Sequence, residues 1–183
     1  MFRFLAGAVL GRPLTEPPPP LVAEDLAALA RRLGEAARHR LGRSLTIREV
    51  DAGSCNGCEL EIHALNNVYY DLERFGLHFA ASPRHADVLL VTGPVTANMR
   101  EALERTYAAT PSPKWVVAVG DCGRDGGAFQ GGHGVVGGVG AVIPVDLVIP
   151  GCPPSPTRLL QGLLALLEAA DGRVEAAAAV ASS

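Results

Sequence analysis

Lysine is nearly absent: Lys114 is the only one, and the other cations are arginines scattered along the chain. With no basic stripe and a formal net charge of -3, the sequence offers nothing to a nucleic-acid backbone. No run reaches the roughly twenty apolar residues that a membrane-spanning helix needs. The apolar stretch Met1 to Leu10 is too short to span and is followed by no small-residue cleavage pattern, so neither a spanning helix nor a secretory leader is expected there. The pair Arg31-Arg32 falls inside a helical pattern with no apolar core behind it, which argues against a twin-arginine signal. The expected location is therefore cytoplasmic. A P-loop is missing, and Gly132-His133-Gly134-Val135-Val136-Gly137 fits the letters of a dinucleotide fingerprint without a strand before it or a helix after it. No nucleotide site is expected.

Cysteine is scarce too. Only Cys55, Cys58, Cys122 and Cys152 are present, each in a glycine- or proline-rich turn just beyond a strand-like stretch. In a reducing compartment such cysteines serve metal ligation or redox chemistry rather than structural disulfides. A chain of 183 residues that is 48% hydrophobic and 19% charged has room for one well-filled globular core.

The pattern along the chain is α/β. Residues 1–20 end in the stiff spacer Pro17-Pro18-Pro19-Pro20 and read as an N-terminal tail. Residues 21–42 hold a helix: Leu26, Leu29, Ala30, Leu33 and Ala37 recur at helical spacing and Gly42 stops it. Residues 43–171 alternate strands, at 44–50, 77–81, 86–92, 115–119 and 144–149, with helices at 59–74, 97–108 and 155–170. Runs such as Val88-Leu89-Leu90-Val91 suit parallel strands buried on both faces. Residues 172–183 lack core periodicity and read as a flexible tail. The expected fold is flavodoxin-like and doubly wound, with a mainly parallel sheet and helices on both faces. In such sheets ligands collect beyond the carboxyl ends of the strands, where all three cysteine turns would lie.

Four thiolates can hold zinc or an iron-sulfur cluster, and a Cys-x-x-Cys pair can cycle as a dithiol. Two of these ligands are single residues on separate loops, a spread that suits a bulky cluster better than one ion. Gly53, Gly57, Gly120, Gly123 and Gly151 flank the cysteines and allow backbone N–H groups to approach an anionic cluster. Taken singly, each glycine is equally well explained by a tight strand-to-helix turn. Zinc in a purely structural binding module remains the alternative of a different class.

Three segments in order, Gly53-Ser54-Cys55-Asn56-Gly57-Cys58-Glu59-Leu60-Glu61, Ser82-Pro83-Arg84-His85-Ala86-Asp87 and Pro144-Val145-Asp146 through Pro150-Gly151-Cys152-Pro153-Pro154, resemble the small subunit of membrane-bound nickel-iron hydrogenases of the formate hydrogenlyase type. The domain is also similar to the complex I (NADH:quinone oxidoreductase) subunit that holds the last cluster before quinone. That subunit has adjacent cysteines where this chain spaces Cys55 and Cys58 by two residues, which favours the hydrogenase branch. The resemblance implies one 4Fe-4S cluster on Cys55, Cys58, Cys122 and Cys152. It implies electron transfer to a nickel-iron large subunit that reduces protons to hydrogen, a ferredoxin-like subunit as donor, and peripheral attachment to the cytoplasmic face of the inner membrane through membrane-arm subunits. Such a subunit belongs to an oxidoreductase but does not turn over alone.

Secondary candidates come from the same resemblance. Arg84 matches an arginine near the cluster, with an ion pair to Asp87 as its structural alternative. Glu61 carries an acidic residue at a matching offset, and Glu59 reads as a helix-capping acid. Gly57, Gly120 and Gly151 would let the backbone close on the cluster. His63, His85 and His133 are expected to be ordinary surface or supporting residues.

Overall fold

The computed structural model describes residues 23–181, and side chains over 26–169. The proline spacer and the rest of the N-terminal tail lie outside the described residues. The strands are β1 (Leu45–Asp51), β2 (Leu77–Phe79), β3 (Val88–Thr92), β4 (Val95–Thr96), β5 (Trp115–Val119), β6 (Val135–Gly137) and β7 (Leu147–Ile149). The α-helices are α1 (Ala23–Leu41), α2 (Gly57–Ala64), α3 (Ala97–Ala109), α4 (Gly120–Asp125) and α5 (Pro156–Ala181). Five strands form a parallel sheet in the order β2-β1-β3-β5-β7, while β4 and β6 pair antiparallel beside it.

Strand alternation splits the core in two. Val88, Leu90, Val117 and Val119 point to the face covered by α1 and α5, where they meet Ala30, Leu33, Ala37, Leu159, Leu160 and Leu163. Their neighbours Leu89, Val91, Val116 and Ala118 point the other way, to Leu103 of α3 and to Val139 and Ile143. Because successive side chains of a strand face opposite sides, continuous apolar runs are the sequence form of a sheet covered twice. The expected doubly wound α/β fold is what the chain adopts. Parallel pairing brings the carboxyl ends of β1, β3, β5 and β7 to one edge, with the order reversing between β1 and β3.

Several boundaries differ from the sequence reading. Gly42 does end α1, at a left-handed φ of 66° with its N–H donating to the Arg38 carbonyl at 2.9 Å. The helix expected over 59–74 stops at Ala64 instead. The Asn67 side chain accepts from the N–H groups of Tyr69 and Tyr70 at 2.9 and 3.0 Å, so a side-chain turn outcompetes the helix there. A short 3-10 turn, Leu72–Phe75, follows and ends at Gly76. At the far end α5 continues past residue 170 to Ala181. The glycine-rich stretch read as loop contains β6, which closes on β4 through Val95 and Thr96.

Asp87 fastens the sheet's other end. It is 3% exposed and accepts from the Thr46 N–H at 3.0 Å and from the Arg43 guanidinium at 2.9 Å. The ion pair with Asp87 that stood as the structural alternative for Arg84 is made instead by Arg43, whose fork meets both carboxylate oxygens.

Candidate metal centre

Three turns carry the thiols. In the first, the Asp51 carboxylate accepts from the N–H groups of Gly53 and Ser54, both at 2.7 Å, and folds the chain back as it leaves β1. Asn56 then takes a left-handed φ of 71° and opens α2, leaving Cys55 exposed and Cys58 half-buried in the first helical turn. In the second, Gly120 at φ 78° turns β5 directly into α4, on which Cys122 sits. In the third, Gly151 at φ 142° turns the chain after β7 and presents an exposed Cys152.

Gly120 is where the turns meet. A Cβ there would lie 2.8 Å from the Cys58 sulfur and 3.2 Å from the Gly151 carbonyl oxygen, so only glycine fits. The Asp121 N–H donates to that same Gly151 carbonyl at 2.8 Å, tying the second turn to the third. Gly127 makes a similar approach: a Cβ on it would stand 2.9 Å from the Cys122 sulfur. Gly57 is roomier, its Cβ position being 3.5 Å from the Cys55 sulfur. Of the glycines singled out from sequence, Gly120 is sterically required, as are Gly151, whose Cβ would stand 2.7 Å from Pro154 Cα, and Gly53, whose Cβ would run into Thr96 Cγ2, while Gly57 is not.

The thiols feel one another. Burial pushes the Cys58 thiol up to about 12, and charge on Glu59, Cys122, Cys55 and Cys152 adds to the rise in that order. Burial also raises Cys122, opposed by an N–H of Ala128 donating to its sulfur and reinforced by Cys152 and Cys55. The four thiols lie within mutual electrostatic reach, so any ionisation of one is opposed by the others. Among the described residues no three His, Cys, Asp or Glu side chains form a single-ion site. Four thiol donors on three separate loops, with glycines that let backbone and sulfur approach, are a donor set that an iron-sulfur group would fit.

Around the thiols the candidates separate. Arg84 is exposed in the short 3-10 turn Pro83–His85 between β2 and β3, where its backbone N–H donates to Ser82 Oγ at 3.4 Å. Glu61 is half-buried and acts on Tyr70, where burial is the main cause of a raised phenol and Tyr69 and Glu61 add to it. His63, His85 and His133 are exposed. Glu59 departs from its expected capping role: it is 7% exposed and neither carboxylate oxygen has a hydrogen-bond partner. A helical projection would have found it, since Glu59 shares its face with the buried Ile62 three residues on. Asp121, Arg124 and Asp125 on α4, beside Cys122, were not among the residues singled out from sequence.

Cysteine-bearing turns at the strand ends of a doubly wound sheet are an arrangement that redox and metal-binding α/β domains share. Within that class the chain belongs to the family of the 20 kDa subunit of NADH ubiquinone oxidoreductase, whose profile matches residues 55–166. It is 43% identical over 155 residues to formate hydrogenlyase subunit 7 of Escherichia coli, covering 83% of this chain and 59% of that longer protein. It is 46% identical over 128 residues to the probable membrane-bound hydrogenase subunit mbhJ of Pyrococcus furiosus, covering 70% and 77% of the two. An uncharacterized protein of Methanocaldococcus jannaschii is 52% identical over 122 residues, 67% of this chain and 82% of its own. Among solved structures, a chain of the membrane-bound sulfane sulfur reductase, an archaeal respiratory membrane complex, superposes with a TM-score of 0.62 at 34% identity, covering 75% and 74%. The named relatives are subunits of oxidoreductase complexes. Among the described residues no helix is long and apolar enough to cross a membrane.

Proposed function

We propose that this chain is an electron-transfer subunit carrying one 4Fe-4S cluster on Cys55, Cys58, Cys122 and Cys152, and that it serves the nickel-iron large subunit of a membrane-bound, formate hydrogenlyase-like hydrogenase. The observation that carries the reading is the meeting of three thiol-bearing turns at Gly120. Bound there, the cluster supplies a one-electron store. The chain's own part is to hold four thiolates, to exclude water from Cys58, which packs against the main apolar core, and to offer the Ala128 N–H to the Cys122 sulfur. Such hydrogen bonds and burial set the potential at which an electron is held. With no further cysteine in the chain, onward transfer requires other subunits: a ferredoxin-like donor, the large subunit, and membrane-arm subunits that keep the assembly on the cytoplasmic face of the inner membrane.

A second reading has its own support. The matching family is named for complex I, so a cluster subunit of a complex I-like NADH:quinone oxidoreductase is the alternative. The Cys-x-x-Cys spacing and the hydrogenase relatives favour the first. Anaerobic purification of the native assembly with nickel, iron and zinc analysis separates them. Nickel and iron, with a cluster signal that develops under hydrogen, support the hydrogenase; iron without nickel, with reduction by quinol, supports the complex I-like enzyme; a colourless zinc protein contradicts both. Arg84 adds one prediction. A cation near the cluster stabilises the reduced, more negative state, so Arg84→Met should lower the cluster's midpoint potential in a redox titration, and an unchanged potential would remove Arg84 from the site.

A further inference from the structure

Arg124 stands on the outer side of α4, exposed, and bridges two carboxylates that the proposed function leaves unused. Its Nη1 donates to Asp121 Oδ1 at 2.9 Å and its Nε donates to Asp125 Oδ2 at 2.9 Å. Each carboxylate in turn holds the backbone of a turn beside a thiol. Asp121 Oδ1 accepts from the Gly151 N–H at 3.3 Å, while the Asp121 N–H donates to the Gly151 carbonyl at 2.8 Å, so this residue clasps the turn that carries Cys152 from both sides. Asp125 Oδ1 accepts from the Gly127 N–H at 2.9 Å, and the next N–H, that of Ala128, donates to the Cys122 sulfur. One guanidinium thus connects the Cys152 turn, the Cys122 helix and the N–H that contacts a thiol.

Exposed ion pairs add little to global stability, so a bridge in this place has more to do with geometry than with folding. Without the cation, two carboxylates on one short helix repel and each is free to rotate away from the glycine it holds. A planar fork suits the task because it meets both acids at once, which an ammonium does less well. We propose that Arg124, acting through Asp121 and Asp125, is a positioning residue that keeps two of the three cysteine turns at the spacing needed by the group the four thiolates bind. The inference rests on the cluster reading given above.

The test uses the full chain in its native assembly, purified without oxygen, in wild-type form and as Arg124→Ala, Arg124→Lys and Arg105→Ala. Arg105 pairs with Glu101 on α3, away from the thiols, and controls for the loss of one exposed arginine. Iron loss to an iron(II) chelator and the paramagnetic resonance of the reduced cluster are followed together with the thermal midpoint. Supporting residues around metal ligands typically cost about 10–100-fold in metal affinity when removed. Arg124→Ala should therefore lose iron at least roughly tenfold faster than wild type and broaden the cluster signal. Arg124→Lys should fall between them, and Arg105→Ala should match wild type at an unchanged thermal midpoint. A normal signal and normal iron retention in Arg124→Ala overturn the inference and leave the cluster intact as a reading, as does iron loss that merely follows a lowered thermal midpoint. A wild-type assembly without any cluster overturns both.

Discussion

At the residue scale, the site is defined as much by what is missing from side chains as by what is present. Gly120 and Gly131 have almost the same left-handed backbone, φ 78° and 75°, but a Cβ on the first would meet the Cys58 sulfur and on the second nothing within 4 Å. Both Gly→Ala changes carry backbone strain of about 1–3 kcal/mol. Only Gly120→Ala should also lose bound iron, measured by metal analysis after anaerobic purification; equal iron in the two variants would refute the close approach. Glu49 supplies a pH test. Burial raises its carboxyl above the ordinary 4.5, with Glu59 and Asp51 adding and His63 and Arg48 opposing. A carboxyl raised on folding binds its proton more tightly in the folded state. Its stabilising contribution is complete below the unfolded value and is lost as the pH rises through the folded one. Glu49→Gln should therefore raise the thermal midpoint at neutral pH, with the gain vanishing below about pH 4. A gain that is constant from pH 4 to 8 would contradict this. The gathering of the cysteine turns at one sheet edge was legible in the sequence because each thiol follows a strand of a parallel sheet. Glu59 was legible only by projecting its short helix, and the Arg124 bridge was not, because its significance lies in glycine N–H groups thirty residues or a turn away.

At the scale of elements, the sheet was readable because its strands alternate between two apolar cores and so appear as unbroken hydrophobic runs. Val88 through Val91 and Val116 through Val119 needed no tertiary information. Element ends did: the stop of α2 at Ala64 depends on Asn67 folding back on Tyr69 and Tyr70, and β6 depends on an edge offered by β4. The flanking Asp146 shows the same dependence, since its N–H donates to the Val116 carbonyl at 2.9 Å and its carboxylate accepts the Val116 N–H at 2.8 Å just before β7 begins. Leu103 tests the packing directly. It is the buried residue of α3, 0% exposed against Leu89, Val91 and Val116 on the sheet face opposite α1 and α5. Leu103→Ala should cost about 2–5 kcal/mol in denaturant unfolding. Because the thiol turns hang on the strand ends and not on α3, cluster content in the folded fraction should stay unchanged.

For the whole molecule, fold and site answer to one geometric fact. A doubly wound sheet delivers the ends of β1, β5 and β7 to a common edge, and the glycines after them let sulfur and backbone crowd together there. Family membership and the hydrogenase relatives support a subunit of a larger oxidoreductase complex. The measurement that tests this most directly is the paramagnetic resonance and iron content of the anaerobic assembly, wild type against a variant carrying both Cys122→Ser and Cys152→Ser. The account predicts that the variant lacks one reducible cluster signal and one cluster's complement of iron while the remaining signals persist. Unchanged iron and an unchanged spectrum, or zinc lost in iron's place, would contradict it.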